Sequence, residues 1–240
     1  CISQWICVLL YMTHAIYTKQ PFIGSLQEMF HLDYGFVVPI LRKIYPLMIN
    51  EALFGFGSTL FVKAFGQLGK DSMDAYYVSN QIANVFLFVV YGYGNGITVL
   101  LGSTLGQGKI KEAIQEGNYY AGLSFVLAVL LVGSMIVFAA PLVSIFQLET
   151  DTAYQMAIGI MIVQAVKISM RLYNFMIFSV LKAGGDSKII SLLDSGIMWS
   201  VGIPLAFLCV NVLHIHNIAL VFLIVQLEQL VRMIIGMKRF

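Results

Sequence analysis

The stretch 75–117 reads AYYVSNQIANVFLFVVYGYGNGITVLLGSTLGQGKIKEAIQEG, and no Asp, Glu, Lys or Arg stands between Ala75 and Gly108. An uncharged run of that length is long enough to cross a bilayer as a helix. Asn80, Asn84, Tyr91 and Asn95 recur at steps of 4, 7 and 4, one face of a helix. A polar stripe on an otherwise lipid-compatible helix has to face protein or water. The stretch therefore predicts a transmembrane helix that lines something.

The rest of the chain agrees. It is 59% hydrophobic and 11% charged, with mean hydropathy +0.86, whereas soluble domains carry about 25% charged residues. The expected class is an all-α integral membrane protein. A β-barrel is excluded by run length, because barrel strands are ~10 residues of alternating polarity. The net charge of +2 gives no basis for a nucleic-acid partner. Cys1, Cys7 and Cys209 show no paired spacing and read as buried thiols.

Residues 1–17 are apolar but short of a full span, so they read as the end of a helix whose start lies upstream. Residues 18–43 mix Lys19, Glu28, His31, Asp33, Arg42 and Lys43 with apolar positions, as an amphipathic linker does. Residues 44–240 form the main domain. Six complete spans are expected there, at about 44–66, 75–101, 118–140 (closed by Pro141), 153–181, 189–212 and 218–236, with a loop over 102–117. Ten basic residues fall on one side of this bundle: Lys19, Arg42, Lys43, Lys109, Lys111, Lys182, Lys188, Arg232, Lys238 and Arg239. The positive-inside rule makes that side, and the C-terminus, cytoplasmic.

Glu51 is the sharpest candidate residue. It lies inside the first span just past Pro46, at a depth where a carboxylate costs a few kcal/mol unless it faces a cavity or a cation. Such a group can trade H⁺ or Na⁺ for a substrate; the structural alternative is an ion pair with Lys63, Lys167 or Arg171. Gln164, Lys167, Arg171 and Asn174 make a second stripe at steps of 3, 4 and 3. They read either as a cavity wall or as cations snorkelling to the interface. Asp194 reads as a carboxylate at a helix start. Glu228 and Arg232, spaced i and i+4, read as a local pair.

Other motifs fail on their neighbours. Gly92-Tyr93-Gly94 lacks the Thr-Val of a potassium filter. The run from Gly102 to Lys109 fits neither end of a phosphate-binding loop. No nucleophile with a base is visible, nor any cofactor motif, so an enzyme is not expected. Gly92, Gly94, Gly96, Gly102 and Gly106 read as sites of close helix packing and hinging.

The ordered set of motifs resembles the C-terminal lobe of a multidrug and toxic compound extrusion transporter. Pro46-Leu-Met-Ile-Asn50-Glu51 is similar to the proline and Asn-Glu of that family's seventh helix. Gly66-Gln-Leu-Gly69 resembles the turn into the eighth, and 75–117 its most recognisable block. Leu181-Lys182-Ala-Gly184-Gly185-Asp186-Ser-Lys188 resembles its Arg-x-Gly-Gly-Asp-Thr turn, with Lys182 in place of Arg. Asp194, Trp199, Pro204 and Glu228 fall where the eleventh and twelfth helices carry the same types.

The resemblance implies twelve helices in two six-helix lobes, alternating access, and a missing N-terminal lobe as partner. It implies a cell-membrane protein that exports small organic compounds, often cationic, in exchange for H⁺ or Na⁺, with no cofactor beyond that ion. Glu51 would be the coupling residue. Asn50, Asn80, Asn84, Tyr91, Asn95, Gln164, Lys167, Arg171 and Asn174 would line the path. Two departures stand out. Some members carry a cation-binding Asp in the tenth helix, where this chain has Lys167 and Arg171. Others use an Asp in the first helix, which this sequence does not contain. A flippase for lipid-linked saccharides shares the architecture, and a non-functional half-transporter is the remaining alternative.

Overall fold

The computed structural model describes residues 2–18 and 34–238. Lys19, Glu28, His31 and Asp33 of the expected linker, and Cys1 and Arg239, lie outside the described residues. The chain divides into two units, residues 1–45 and 46–240. The first holds helix α1 (Ile2–Tyr17) and the start of α2 (Tyr34–Gly66). Within it α1 exposes Trp5, Leu9 and Tyr11, and Cys7 is exposed rather than buried as expected.

The second unit is a helix bundle. After the rest of α2 come α3 (Lys70–Gly106), α4 (Ile110–Ser144), α5 (Asp151–Ala183), α6 (Lys188–Val212) and α7 (Ile218–Met237). Among the described residues these five are long and apolar enough to cross a membrane, and the chain is a multi-pass membrane protein. The sixth expected span, within α2, falls short on mean hydropathy although α2 has 33 residues. Asn50, Glu51, Lys63, Gly55 and Gly57 dilute its apolar content.

The connections are tighter than the sequence predicts. The expected loop over 102–117 shrinks to three residues between α3 and α4, with Gly108 at φ +75° making the reversal. A left-handed φ of that kind is open to glycine without steric cost. Pro141 does not close α4, which runs on to Ser144 with the proline inside it. Loss of one N–H near a helix end leaves the remaining turn intact. α5 is started by Thr150, whose Oγ1 accepts from the Ala153 N–H at 3.1 Å, and α7 by Asn217, whose Oδ1 accepts from Ala219 at 3.0 Å. These caps satisfy amide donors that the first turn leaves free.

α5 is the central helix, packed against α3, α4 and α7. Its Ile160, Met161, Ile168 and Leu172 are buried with Val90 of α3, Met135 of α4, Cys209 of α6 and Val221 of α7. Apolar burial drives no association in lipid, so close approach and hydrogen bonds carry more of the specificity. Ser79 donates to its own Ala75 carbonyl at 2.7 Å and lies 3.0 Å from the Ala157 carbonyl of α5. At Gly94 an added Cβ would lie 2.9 Å from Ser179 Oγ and 3.1 Å from Phe175 Cδ1. Of the five glycines expected to pack closely, Gly94 does so. Gly92, Gly96, Gly102 and Gly106 have nothing within 4 Å of an added Cβ.

α6 departs from regular α-helix at Leu192–Gly196, Met198–Gly202 and Leu208–Val212, where the turns widen to π geometry. Such bulges open helical hydrogen bonds and often sit at functional sites. Here the first bulge contains Asp194 and Ser195. Buried Asn50 of α2 is the complement: its Oδ1 accepts from the Ser195 backbone N–H at 3.2 Å, and its Nδ2 donates to Asp194 Oδ2 at 3.3 Å. Trp199 Nε1 donates to the Leu53 carbonyl at 3.0 Å, a second tie between the same helices.

Candidate functional site: a polar cavity among five helices

A cavity of about 440 Å³ opens among α2, α3, α5, α6 and α7. Its lining is set by helical spacing. α2 contributes Phe54, Ser58, Phe61 and Phe65, and α3 contributes Tyr76, Asn80, Asn84, Leu87 and Tyr91. α5 supplies Lys167 and Arg171, α6 supplies Met198, and α7 supplies Phe222, Val225, Gln226, Glu228 and Gln229. Asn84, Lys167, Arg171 and Glu228 all lie near the middle of their helices, far from either end. A concave pocket that combines aromatic side chains with convergent polar groups, in the range of about 300–1,000 Å³, is the usual form of a small-molecule site.

The two α5 cations sit against aromatic rings. Lys167 Nζ lies 5.1 Å from the Phe222 ring centroid, and Arg171 Cζ lies 5.5 Å from Phe54 and 5.2 Å from Phe175. They face the cavity, so the snorkelling alternative does not describe them. On the α7 wall, Arg232 is 1% exposed and contacts two carboxylates, Asp194 at 2.6 Å and Glu228 at 2.5 Å. The first is an aligned hydrogen bond from Nη1; the second is a close ion pair without that alignment, and Glu228 Oε2 has no hydrogen-bond partner. Glu228 is seated against Gly202 of α6, where a Cβ would come within 1.8 Å of Oε2.

The expected site residues separate into three positions. Asn80, Asn84, Tyr91, Lys167 and Arg171 line the cavity. Gln164 and Asn174 lie behind the wall. Gln164 Nε2 donates to Asn80 Oδ1 at 2.9 Å, and Asn174 Nδ2 donates to the Gln229 carbonyl at 3.1 Å and to its Oε1 at 2.9 Å. Asn50 holds the α6 bulge instead of the cavity. Asn95 and Glu51 are exposed and outside the lining. Asn95 is rotated by about 60° from Asn80 at 100° per residue, and lies a turn beyond Tyr91.

Glu51 has no ion pair among the described residues, with Lys63, Lys167 or Arg171 or any other cation. Asp194 does not act as a helix-start carboxylate; it is the counter-ion of Arg232. Arg232 is likewise no interface anchor, which removes it from the basic residues that orient the bundle. Sequence reasoning missed Gln226, Gln229 and the cavity position of Glu228. The signal was the polar run Gln226-Leu-Glu228-Gln229 inside an apolar helix.

The fold and the cavity together define a class: an all-α, multi-pass membrane bundle built around a mid-helix pocket. The model of the MatE family matches residues 46–208, more than half of the chain, and the chain belongs to that family. It is 20% identical over 216 residues to the probable multidrug resistance protein YoeA of Bacillus subtilis (strain 168), covering 86% of this chain and 44% of that one. Its fold is that of a solved MOP superfamily transporter from Pyrococcus furiosus, whose binding pocket is described as of reverse polarity. The TM-score is 0.79 at 13% identity, over 98% of this chain and 53% of the other. An outward-facing multidrug resistance MATE family transporter matches with TM-score 0.71 at 17% identity, over 82% and 43% of the two chains. The chain thus spans about half the length of the relatives it matches.

Proposed function

We propose that the chain is one lobe of a cation-coupled transporter that exports small organic compounds by alternating access, with a second lobe completing the path. The observation that carries this reading is the cavity itself. It places Asn80, Asn84, Tyr91, Lys167, Arg171 and Glu228 around one space at the mid-depth of membrane-length helices. Ionisable groups are retained at that depth where a substrate or ion must pass. Family membership and the half-length match support the same reading.

Glu51 is the proposed coupling residue, taking up H⁺ or Na⁺ on α2. It stands next to Asn50, which is bonded to Asp194 and through it to the Arg232 pair. A second candidate is Glu228, a lining residue whose buried Oε2 has no hydrogen-bond partner.

The test is H⁺- or Na⁺-driven dye efflux by the full-length protein with Glu51→Gln and, separately, Glu228→Gln. Efflux uncoupled from the gradient in Glu51→Gln supports the first assignment. Unchanged coupling in that variant at saturating gradient removes Glu51, and its loss in Glu228→Gln transfers the role. No gradient-driven efflux by the unsubstituted protein overturns the transporter reading.

A further inference from the structure

The charges around the cavity do not balance. Lys167 and Arg171 stand on its wall one helical turn apart. Among the described residues neither has an ion pair or a hydrogen bond; their contacts are with the rings of Phe222, Phe54 and Phe175. Glu228, the one carboxylate of the lining, is engaged by Arg232, whose other partner is Asp194. The lining and the groups bonded to it therefore hold three cations, Lys167, Arg171 and Arg232, against two carboxylates, Glu228 and Asp194.

Aromatic faces stabilise a cation, but they supply no lone pair. The N–H donors of an ammonium and a guanidinium still require acceptors, and a guanidinium matches a carboxylate or phosphate in two parallel bonds. Like charges one turn apart repel unless an anion lies between them. The rest of the lining mixes neutral polar groups, among them Asn80, Asn84 and Gln226, with a ring-rich part formed by Phe61, Phe65, Tyr76 and Phe222.

We infer that the cavity binds the anionic head of an amphipathic organic acid (a carboxylate, sulfonate or phosphate) between Lys167 and Arg171, with the ring-lined part holding its apolar body. This rests on the transporter reading and names the substrate class of that cavity. It departs from the cationic compounds that the sequence resemblance implies.

The experiment measures binding separately from transport. Full-length protein in phosphatidylcholine nanodiscs is titrated calorimetrically with 1-naphthoate and with the matched cation N,N,N-trimethyl-1-naphthylammonium. Naphthoate is expected to bind at least about tenfold more tightly than the ammonium, and Arg171→Gln to weaken it about tenfold, equivalent to ~1.4 kcal/mol. Arg171→Lys, which keeps the charge, and Lys167→Gln show whether charge or folding is responsible; naphthoate binding should survive the first and weaken in the second.

Tighter binding of the ammonium, no binding of either probe, or naphthoate affinity unchanged in both Gln variants overturns the inference. A protein that binds naphthoate but moves neither probe into liposomes refutes the transport reading alone. One that transports the ammonium and ignores naphthoate refutes the charge assignment alone. Repeating the titration with phosphatidylglycerol in the nanodisc identifies the source of the anion. Loss of naphthoate binding means a lipid headgroup occupies the site, and retention means a free acid does; either result supports an anion site.

Discussion

Arg232 of α7 donates to Asp194 of α6 across 2.6 Å, joining residues 38 apart in the chain at a point where Arg232 is 1% exposed. Glu228, one turn before Arg232, closes the same cation from the other side at 2.5 Å. The three groups pin α7 to the first bulge of α6, and Asn50 extends the connection to α2. Removing Asp194 leaves the guanidinium with Glu228 as its one carboxylate, and removing Arg232 leaves both carboxylates without this cation in a low-dielectric region. The penalty for breaking such a pair is on the order of 3–5 kcal/mol, whereas deleting both partners costs far less.

Asp194→Asn should therefore lower thermal stability in detergent by several degrees. The Asp194→Ala, Arg232→Ala double variant should be more stable than the two single losses add up to. Unfolding can be followed by a thiol-reactive dye at Cys209, which is 0% exposed, after the other cysteines are replaced by serine. Additive losses would show that the pair is not coupled.

Gly202→Ala should disturb the same network from the other side, because its Cβ would meet Glu228 Oε2 at 1.8 Å. The carboxylate must move, and Arg232 loses a partner. Adding Glu228→Ala to Gly202→Ala should relieve the clash, so the combined loss is smaller than the sum. Gly133→Ala on α4, with nothing within 4 Å, should be neutral or slightly stabilising in the same melt. Equal effects of Gly202→Ala and Gly133→Ala would contradict the packing.

Asn50→Ala removes two bonds to the α6 bulge and leaves the Ser195 N–H without its acceptor. A stability loss of about 1–3 kcal/mol is expected for a buried donor left unpaired. Amide exchange of Ser195 by mass spectrometry should accelerate with it. Unaltered exchange would mean the bulge does not depend on Asn50.

The bundle's two ends should label from opposite sides of the membrane. Lys70 and Glu149 pair at 2.7 Å and Thr152 donates to Asp71 at 2.9 Å, which puts α3's start and α5's start at one end. Lys109, between α3 and α4, and Lys182, in the last turn of α5, lie at the other. Single cysteines at Gly185 and at Gln147 should react with impermeant maleimide from the cytoplasmic and external faces respectively. Reaction of both from one face would refute this orientation.

Much of this was legible in local sequence. Hydropathy and charge sparsity are summed over neighbouring residues, so the expected spans from 75–101 to 218–236 sit inside helices α3 to α7. The polar stripes of α3 and α5 are periodic signals of the same kind, and five of their eight residues reach the cavity. The boundaries were less legible. Gly108 completes a reversal that composition alone spread over sixteen residues, 102–117, and Pro141 sits within the last turn of α4 rather than after it.

What the sequence determined, then, was an uncharged polar-striped helix at 75–101 in an all-α membrane protein, because spacing and transfer energy are properties of the chain itself. What only the tertiary structure decided was the direction each stripe faces. The close approach of Gly94 to Ser179 and Phe175 helps set the rotation of α3 against α5, leaving Asn95 outside and bringing Asn80 to Gln164. It also decided the partner of each buried charge. Asp194 and Arg232 meet because α6 and α7 fold back on one another, and no local pattern encodes a contact between residues so far apart.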